Sequence, residues 1–147
     1  MTGVQTCALP IWEILRQREA HSGDFTPGVL STDDLRELQD TVRQVAVDDA
    51  IVGYMLTIVE RTRNHEGLSL GISPRGGQAL YRASQGCAFL EGRDYVLPDD
   101  VKAVAVPVCA HRIAASSRSA LTTRGNGMGA LTESILGEIL NQVEVPI

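Results

Sequence analysis

Residues 71–113 read GISPRGGQALYRASQGCAFLEGRDYVLPDDVKAVAVPVCAHRI and predict two helices joined by a short turn. Ser73 is a suitable N-cap, and Pro74 suits the first helical position. Arg75 then projects from the first turn. Because a helix N-terminus offers free N–H groups and the positive end of the helix dipole, a guanidinium there completes an anion site. The anion itself would have to be brought by another element.

The residues before this stretch also predict helices. Ser31 and Asp34 form the pattern of a capping box at the start of one helix, and Asp48 or Asp49 starts the next. Spacings of three and four residues predict two buried faces, Leu35, Leu38, Val42 and Val45 on the first helix and Ile51, Met55, Ile58 and Val59 on the second. Asn64–Gly71 is predicted to be a loop.

The remaining pattern completes an all-α fold. The helix that starts at Pro74 is expected to run to about Glu91 and to end at Gly92, which suits a left-handed stop. Its buried face is predicted to be Leu80, Ala83, Cys87 and Leu90. Val96 is expected to make a brief extended contact. Leu97 cannot accept a capping bond, so the helix that opens at Pro98 should be weaker by ~1 kcal/mol.

The end of the chain continues the helical pattern. Pro107 predicts a kink or a new turn in the helix that opens at Pro98. Ala114–Gly129 reads as a flexible connection, and a closing amphipathic helix is predicted over Leu131–Gln142, with its core side at Leu131, Ile135, Ile139 and Leu140.

Several short motifs in order and at matching spacing resemble the C-terminal lid of the MoxR group of AAA+ ATPases. The likeness covers most of the chain from Trp12 onward. The resemblance implies a small helical bundle of the AAA+ lid type. The motifs are Ser73-Pro74-Arg75, Gly92-Arg93-Asp94-Tyr95-Val96, Pro98-Asp99-Asp100-Val101 and His111-Arg112. The likeness extends backwards through Tyr54 and Thr62-Arg63 and, more weakly, forwards to the closing Val143-Glu144-Val145-Pro146.

The resemblance implies a role for one residue and a setting for the whole chain. Arg75 stands at the sensor 2 position, where such a lid contacts the γ-phosphate of the nucleotide. The intact enzyme would use ATP and Mg²⁺, form a homo-oligomeric ring, and remodel or mature client proteins, often beside proteins with von Willebrand A domains. Whether Arg75 would act on the nucleotide of its own subunit or of a neighbour stays open, as do the ring size and the client.

The chain lacks the motifs that hydrolysis needs, a phosphate loop with a lysine and an acidic strand end for magnesium. Gly71–Gln78 has no preceding strand and no lysine, and Gly125–Gly129 is a poor dinucleotide fingerprint. No catalytic residue is therefore assigned, and the chain by itself is expected to be inactive. The resemblance implies the last part of an ATPase whose catalytic core lies upstream.

The N-terminal residues give a separate reason to expect that the chain is an N-terminally truncated ATPase. Met1–Ile11 resembles the translation of a common sequencing-adapter oligonucleotide and has neither the basic start nor the apolar core of a signal peptide. We therefore expect a non-native segment at residues 1–11 and the end of the ATPase core with a linker at 12–30. The lid domain is expected at 31–115, and a flexible connection with a C-terminal helix at 116–147.

Two other classes of protein are considered, a nucleic-acid-binding protein and a free-standing helical module. A net charge of −5 and an aromatic content of 4% disfavour a nucleic-acid surface, including a helix-turn-helix. No apolar run is long enough for a membrane span. Cys87 and Cys109 are expected on apolar faces in a reducing cytoplasm. The alternative to the ATPase lid is a free-standing helical module that binds another protein.

Other polar residues have structural explanations. Arg93 and Asp94 are expected to pair across a turn, Tyr95 to be packed, and His111 and Arg112 to mark a helix end. Three acidic pairs fall at helix starts, where the helix dipole favours them, so no paired-carboxylate active site is needed. His21 and His65 lack metal-ligand spacing, and no metal site is predicted. The acidic pairs are Asp33-Asp34, Asp48-Asp49 and Asp99-Asp100.

Overall fold

The computed structural model describes residues 28–117 and 128–146. The predictions for residues 1–27 and for the connection at 118–127 lie outside the described residues. Five α-helices, a 3₁₀ turn and two short strands follow one another within these two ranges. They are α1 (Thr32–Gln44), α2 (Asp49–Arg63), β1 (Leu68–Leu70), α3 (Pro74–Leu90), α4 (Pro98–Cys109), the 3₁₀ turn Ala110–Arg112, β2 (Ala114–Ala115) and α5 (Met128–Gln142). The all-α prediction is confirmed.

The helix starts follow local capping chemistry. Before α1, the Asp34 carboxylate accepts hydrogen bonds from the backbone N and the hydroxyl of Ser31, at 2.8 and 2.7 Å, and the Asp34 N–H donates to Ser31 Oγ at 3.1 Å. Asp48 caps α2 by accepting from the Ala50 N–H at 2.8 Å. These bonds satisfy N–H groups that the first helical turn leaves without partners, so both predicted starts are confirmed.

The end of α3 and the start of α4 form a compact turn. Gly92 has a φ of 73°, the left-handed conformation that glycine adopts without steric cost. The Arg93 N–H donates to the Ala88 carbonyl at 2.9 Å and so closes the helix end. Next to it, the Ala46 N–H donates to Asp94 O and the Val96 N–H donates to Ala46 O, at 2.8 and 2.9 Å. The extended contact expected at Val96 is therefore confirmed.

A small antiparallel sheet corrects the prediction for two connecting segments. β1 pairs with β2, with Leu68 opposite Ala115 and Leu70 opposite Ala114. Ser69 Oγ also donates to the carbonyls of Ala114 and Ala115. These strands have three and two residues, too few for a period of two to be visible in the sequence.

The apolar core is built from α2, α3, α4 and α5, with α3 and α4 in the most extensive contact. The predicted face of α2 is confirmed, since all four residues are buried. On α5, Ile135, Ile139 and Leu140 are buried as predicted, Leu131 is half-buried, and Leu136 is buried in addition. Side chains with no exposed surface include Ile58, Ile72, Leu80, Leu136, Val101 and Cys109.

Several apolar residues lie where periodicity does not predict them. Leu35 and Leu38 of α1 are exposed and only Val45 of the predicted face is buried. Leu90 is 85% exposed and Tyr95 51% exposed, so the predictions that they are buried are wrong. Both sit at the α3–α4 turn, where the chain reverses and no helix of the described residues covers them.

Pro107 does not interrupt α4, which continues to Cys109 before it tightens into the 3₁₀ turn. A proline removes one N–H donor from a helix, and that loss does not start a new turn at Pro107 itself. None of the helices in the described ranges combines the length and apolar character that a bilayer crossing requires.

Candidate functional site

The first turn of α3 has the geometry that the sequence predicts. Ser73 has extended backbone angles, and its hydroxyl accepts a hydrogen bond from the Gly76 N–H at 3.1 Å. Pro74 occupies the first position, where the missing N–H costs nothing. Arg75 follows and is exposed. Its guanidinium therefore leaves the helix at the positive end of the helix dipole with access to solvent.

The segment before this turn is bound by the end of α2. Thr62 Oγ1 donates to the Val59 carbonyl at 2.7 Å and accepts from the Ile72 N–H at 3.0 Å. Arg63 Nε donates to the Ile72 carbonyl at 2.8 Å. Both backbone polar groups of Ile72 are thus satisfied by consecutive side chains of one helix.

Arginines from three elements meet around the start of α3. Arg63 reaches it through its bond to Ile72, and the side chain of Arg112 lies close to Gly76, where an added Cβ would be 3.7 Å from Arg112 Cδ. Arg112 Nε also donates to the Val108 carbonyl at 2.9 Å, as expected for a cation at a helix end. In the described ranges no salt bridge joins Arg63, Arg75 or Arg112 to an acidic side chain.

An open groove of about 730 Å³ runs between α2 and α3 and reaches this end of α3 at Pro74. Its walls are mainly apolar, and charged side chains stand among them. The Arg82 guanidinium lies over the Tyr81 ring, 5.7 Å from the ring centroid. The side chains that give the groove its character are Met55, Leu56, Val59, Tyr81, Glu60 and Arg82.

The polar residues of the α3–α4 turn form a structural cluster rather than an anion site. Arg93 Nη1 and Nη2 donate to the two carboxylate oxygens of Asp100, at 2.7 and 2.6 Å. The prediction that Arg93 pairs with Asp94 is therefore wrong. Asp100 also accepts from the Leu97 N–H at 2.8 Å, which is the half of a capping box that does not depend on the Leu97 side chain.

The pKa shifts agree with a structural role for this cluster. The hydrogen bonds from Arg93, with the Leu97 N–H and the guanidinium charge, hold the pKa of the Asp100 carboxyl below its ordinary value. Burial raises the pKa of the Cys87 thiol, and the nearby Asp100 carboxylate adds to this shift. Burial raises the pKa of Cys109 to about 11. Neither thiol has the low pKa of a nucleophilic cysteine.

The sequence predicts some of the residues around the start of α3 and does not predict others. Ser73 is a cap and Arg75 is exposed beside it, whereas the Thr62 and Arg63 contacts with Ile72 could not be read from the spacing. The only sequence signal for them is the adjacent Thr62-Arg63 pair within the motifs. The described part of the chain contains no group of three or more His, Cys, Asp or Glu side chains that could hold a metal ion.

Comparison with known proteins shows which family the chain resembles. Residues 60–132 match the family model described as an AAA lid domain. The chain is 37% identical over 131 residues to the protein YeaC of Bacillus subtilis (strain 168), covering 89% of this chain and 39% of YeaC. It is 47% identical over 77 residues to the protein MoxR of Paracoccus denitrificans, which covers 44% of this chain and 23% of that protein.

Two further proteins extend the comparison. The chaperone MoxR1 of Mycobacterium tuberculosis is 36% identical over 94 residues, covering 58% of this chain and 25% of that protein. The crystal structure of a proposed ATPase from Cytophaga hutchinsonii matches with a TM-score of 0.73 at 23% identity, over 100% of this chain and 45% of that one. That structure supports the fold alone. The chain spans less than half the length of each of these proteins.

Proposed function

Because this chain belongs to the MoxR family of AAA+ ATPases and carries its lid region, we propose that it is the lid of an enzyme that couples ATP hydrolysis to the remodelling or maturation of client proteins. In this proposal Arg75 is the sensor 2 residue that contacts the γ-phosphate of the nucleotide. The observation that carries it is the exposed guanidinium on the first turn of a capped helix, inside the segment that matches the lid family.

The electrostatics at the start of α3 suit a phosphate. Arg75 adds a formal charge to the partial positive charge of the helix N-terminus, and Arg63 and Arg112 lie nearby. A guanidinium donates two parallel hydrogen bonds to a phosphate, which fixes direction as well as distance. Such a group stabilises the charge that develops on the transferring phosphoryl group. In that role Arg75 would link the position of the lid to the state of the nucleotide.

The other components of the reaction would come from outside the described residues. ATP and Mg²⁺ are the cofactors of the proposed enzyme, and the described residues offer no cluster that suits Mg²⁺. The magnesium ligands and the phosphate loop would therefore belong to an ATPase core. The proposed partners are that core, the neighbouring subunits of a homo-oligomeric ring, and proteins with von Willebrand A domains. The proposed setting is the cytoplasm.

A chimera tests the proposal. The part of Bacillus subtilis YeaC that lies outside its match to this chain, which under the proposal is the ATPase core, is joined to this chain. We expect the chimera to hydrolyse ATP faster than the core alone. Arg75→Ala should lower kcat by about 10²-fold with a smaller change in KM, because the residue acts on the developing charge.

The matched control is Arg61→Ala, which removes an exposed arginine from α2. It should leave kcat within about twofold of the chimera. Equal effects of the two variants would refute the sensor 2 assignment. A chimera no faster than the core alone would refute the lid function and would favour the alternative, a helical module that binds another protein.

A further inference from the structure

The end of α2 holds the segment that leads into α3 by two directional bonds. Thr62 has no exposed surface, and its hydroxyl accepts from the Ile72 N–H at 3.0 Å while donating to Val59 O at 2.7 Å. Arg63 Nε donates to Ile72 O at 2.8 Å. Since the two bonds bind the N–H and the carbonyl of one residue, they fix the orientation of both adjoining peptide planes.

Close steric contacts also hold the segment before α3 against the end of α2. A Cβ on Gly71 would lie 2.7 Å from Arg63 Cα and 2.7 Å from Arg63 N, so the two backbones approach as closely as only glycine allows. A Cβ on Gly76 would lie 2.7 Å from Ile72 Cγ2. The side chain of Ile72 is fully buried. The residue that precedes Ser73-Pro74-Arg75 is therefore held by its N–H, its carbonyl and its side chain.

We propose that Thr62 and Arg63 are positioning residues for Arg75, acting through Ile72. The inference rests on the proposed sensor 2 role of Arg75. Ser73 and Pro74 fix the local shape of the helix start, but they do not fix where that start lies relative to α2. The Thr62 and Arg63 bonds do so, and an arginine misplaced by about 1 Å from a transferring phosphoryl group loses up to ~10²-fold in rate.

The experiment is a double-mutant cycle in the ATPase chimera. Thr62→Val keeps the shape of the side chain and removes the hydroxyl, and we expect kcat to fall by about tenfold or more. In an Arg75→Ala background the same change should have no further effect, because a positioning residue acts only through the residue it positions. Thr62→Ser keeps the hydroxyl and should therefore retain most of the kcat of the unmodified chimera.

A threonine on the same helix provides the control. Thr57 Oγ1 donates to the Gly53 carbonyl within α2 at 2.9 Å and makes no bond to Ile72. Thr57→Val should therefore leave kcat unchanged. If Thr62→Val lowers kcat equally with and without Arg75, Thr62 is merely structural and the inference is wrong. If Arg75→Ala itself has no effect, the proposed function fails, which is a distinct outcome.

Hydrogen exchange in the chain itself tests the geometry directly. Thr62→Val should remove the protection of the Ile72 amide and leave that of Leu80, in the middle of α3, within about twofold of the wild type. An equal loss of protection at both amides would mean general loosening and would overturn the positioning role. An unchanged Ile72 amide would overturn it as well.

Arg63 is tested by a change that keeps its charge. Arg63→Lys has no Nε donor, so kcat in the chimera should fall about as far as in Thr62→Val. Arg61→Lys, at an exposed position on the same helix, should have no effect. If Arg63→Lys retains the full rate, the Nε bond of Arg63 to Ile72 is not needed to position Arg75, and that part of the inference is refuted.

Discussion

Replacing Asp100 by asparagine should destabilise the helical body that α2, α3, α4 and α5 form around the apolar core. Asp100 is nearly buried, and its carboxylate accepts from Arg93 Nη1, Arg93 Nη2 and the Leu97 N–H, at 2.7, 2.6 and 2.8 Å. Asparagine keeps one oxygen and turns the other into an NH₂ group. At least one of these three donors would then face another donor.

The expected loss follows from burial. Removing one partner of a fully buried ion pair costs about 3–5 kcal/mol, because the other charge is left without compensation. The Arg93 side chain retains 23% exposure, so water recovers part of this cost. We therefore expect the Asp100→Asn change to lower the free energy of unfolding by about 2–3 kcal/mol. For a body of this size that corresponds to a fall in Tm of about 10 °C.

The assay is thermal unfolding of the chain followed by circular dichroism, with Asp99→Asn as the matched control. Asp99 belongs to the same first turn, but its side chain is 91% exposed and lies 3.9 Å from Lys102 Nζ. That variant should change Tm by no more than about 2 °C. If Asp100→Asn and Asp99→Asn lower Tm equally, the ion pair does not stabilise the turn and the reasoning fails.

The pH dependence provides a second check on the same residue. The pKa of Asp100 is lowered from its ordinary value of 3.8, so the folded state binds that proton less readily than the unfolded state. Its contribution to stability is complete above the ordinary value and is lost as the pH falls through the folded pKa. The difference in Tm between wild type and Asp100→Asn should therefore be constant near neutral pH and should shrink on acidification.

Other changes test the packing of the same body by thermal unfolding. Gly71→Ala should lower the free energy of unfolding by about 1–3 kcal/mol, since the added Cβ would lie 2.7 Å from the Arg63 backbone. Gly86→Ala, in α3, should raise it by about 0.5–1 kcal/mol, because the added Cβ would have no neighbour within 4 Å. If both glycine substitutions stabilise the protein, or both destabilise it, this interpretation is wrong. Gln85→Met removes the amide that donates to the Val45 carbonyl at 2.7 Å, and should cost about 1–3 kcal/mol. A Gln85 variant as stable as wild type would mean that water satisfies this carbonyl equally well.

The helix starts were predictable because capping is local. Ser31 with Asp34, Asp48 with Ala50, and Ser73 with Gly76 are pairs two or three residues apart, so the residues that bond are also neighbours in the sequence. The left-handed Gly92 follows the same logic. The exposed position of Arg75 was predictable too, since it depends only on where α3 begins.

The bonds between elements were not predictable from spacing. Arg93 selects Asp100, seven residues away, over the adjacent Asp94 because the turn at Gly92 brings the buried carboxylate to it. Gln85 reaches the Val45 carbonyl across 40 residues. Periodicity likewise indicates an apolar face without showing what covers it, which explains why Leu38 and Leu90 are exposed despite their spacing.

These distant bonds have a property that apolar contacts lack, because each fixes a direction. Gln85 binds the backbone at the end of α1, Thr62 binds the backbone before α3, and Asp100 binds Arg93 in the turn before α4. In every case a helix side chain holds a segment that lies outside a helix. A lid that responds to a nucleotide must couple the position of Arg75 to the position of its other helices. Hydrogen bonds constrain that relative position more tightly than apolar contacts, which have no preferred direction. Under the proposed function, variants at Thr62 should therefore lose more activity than an equally destabilising change in the apolar core, such as one at Leu80.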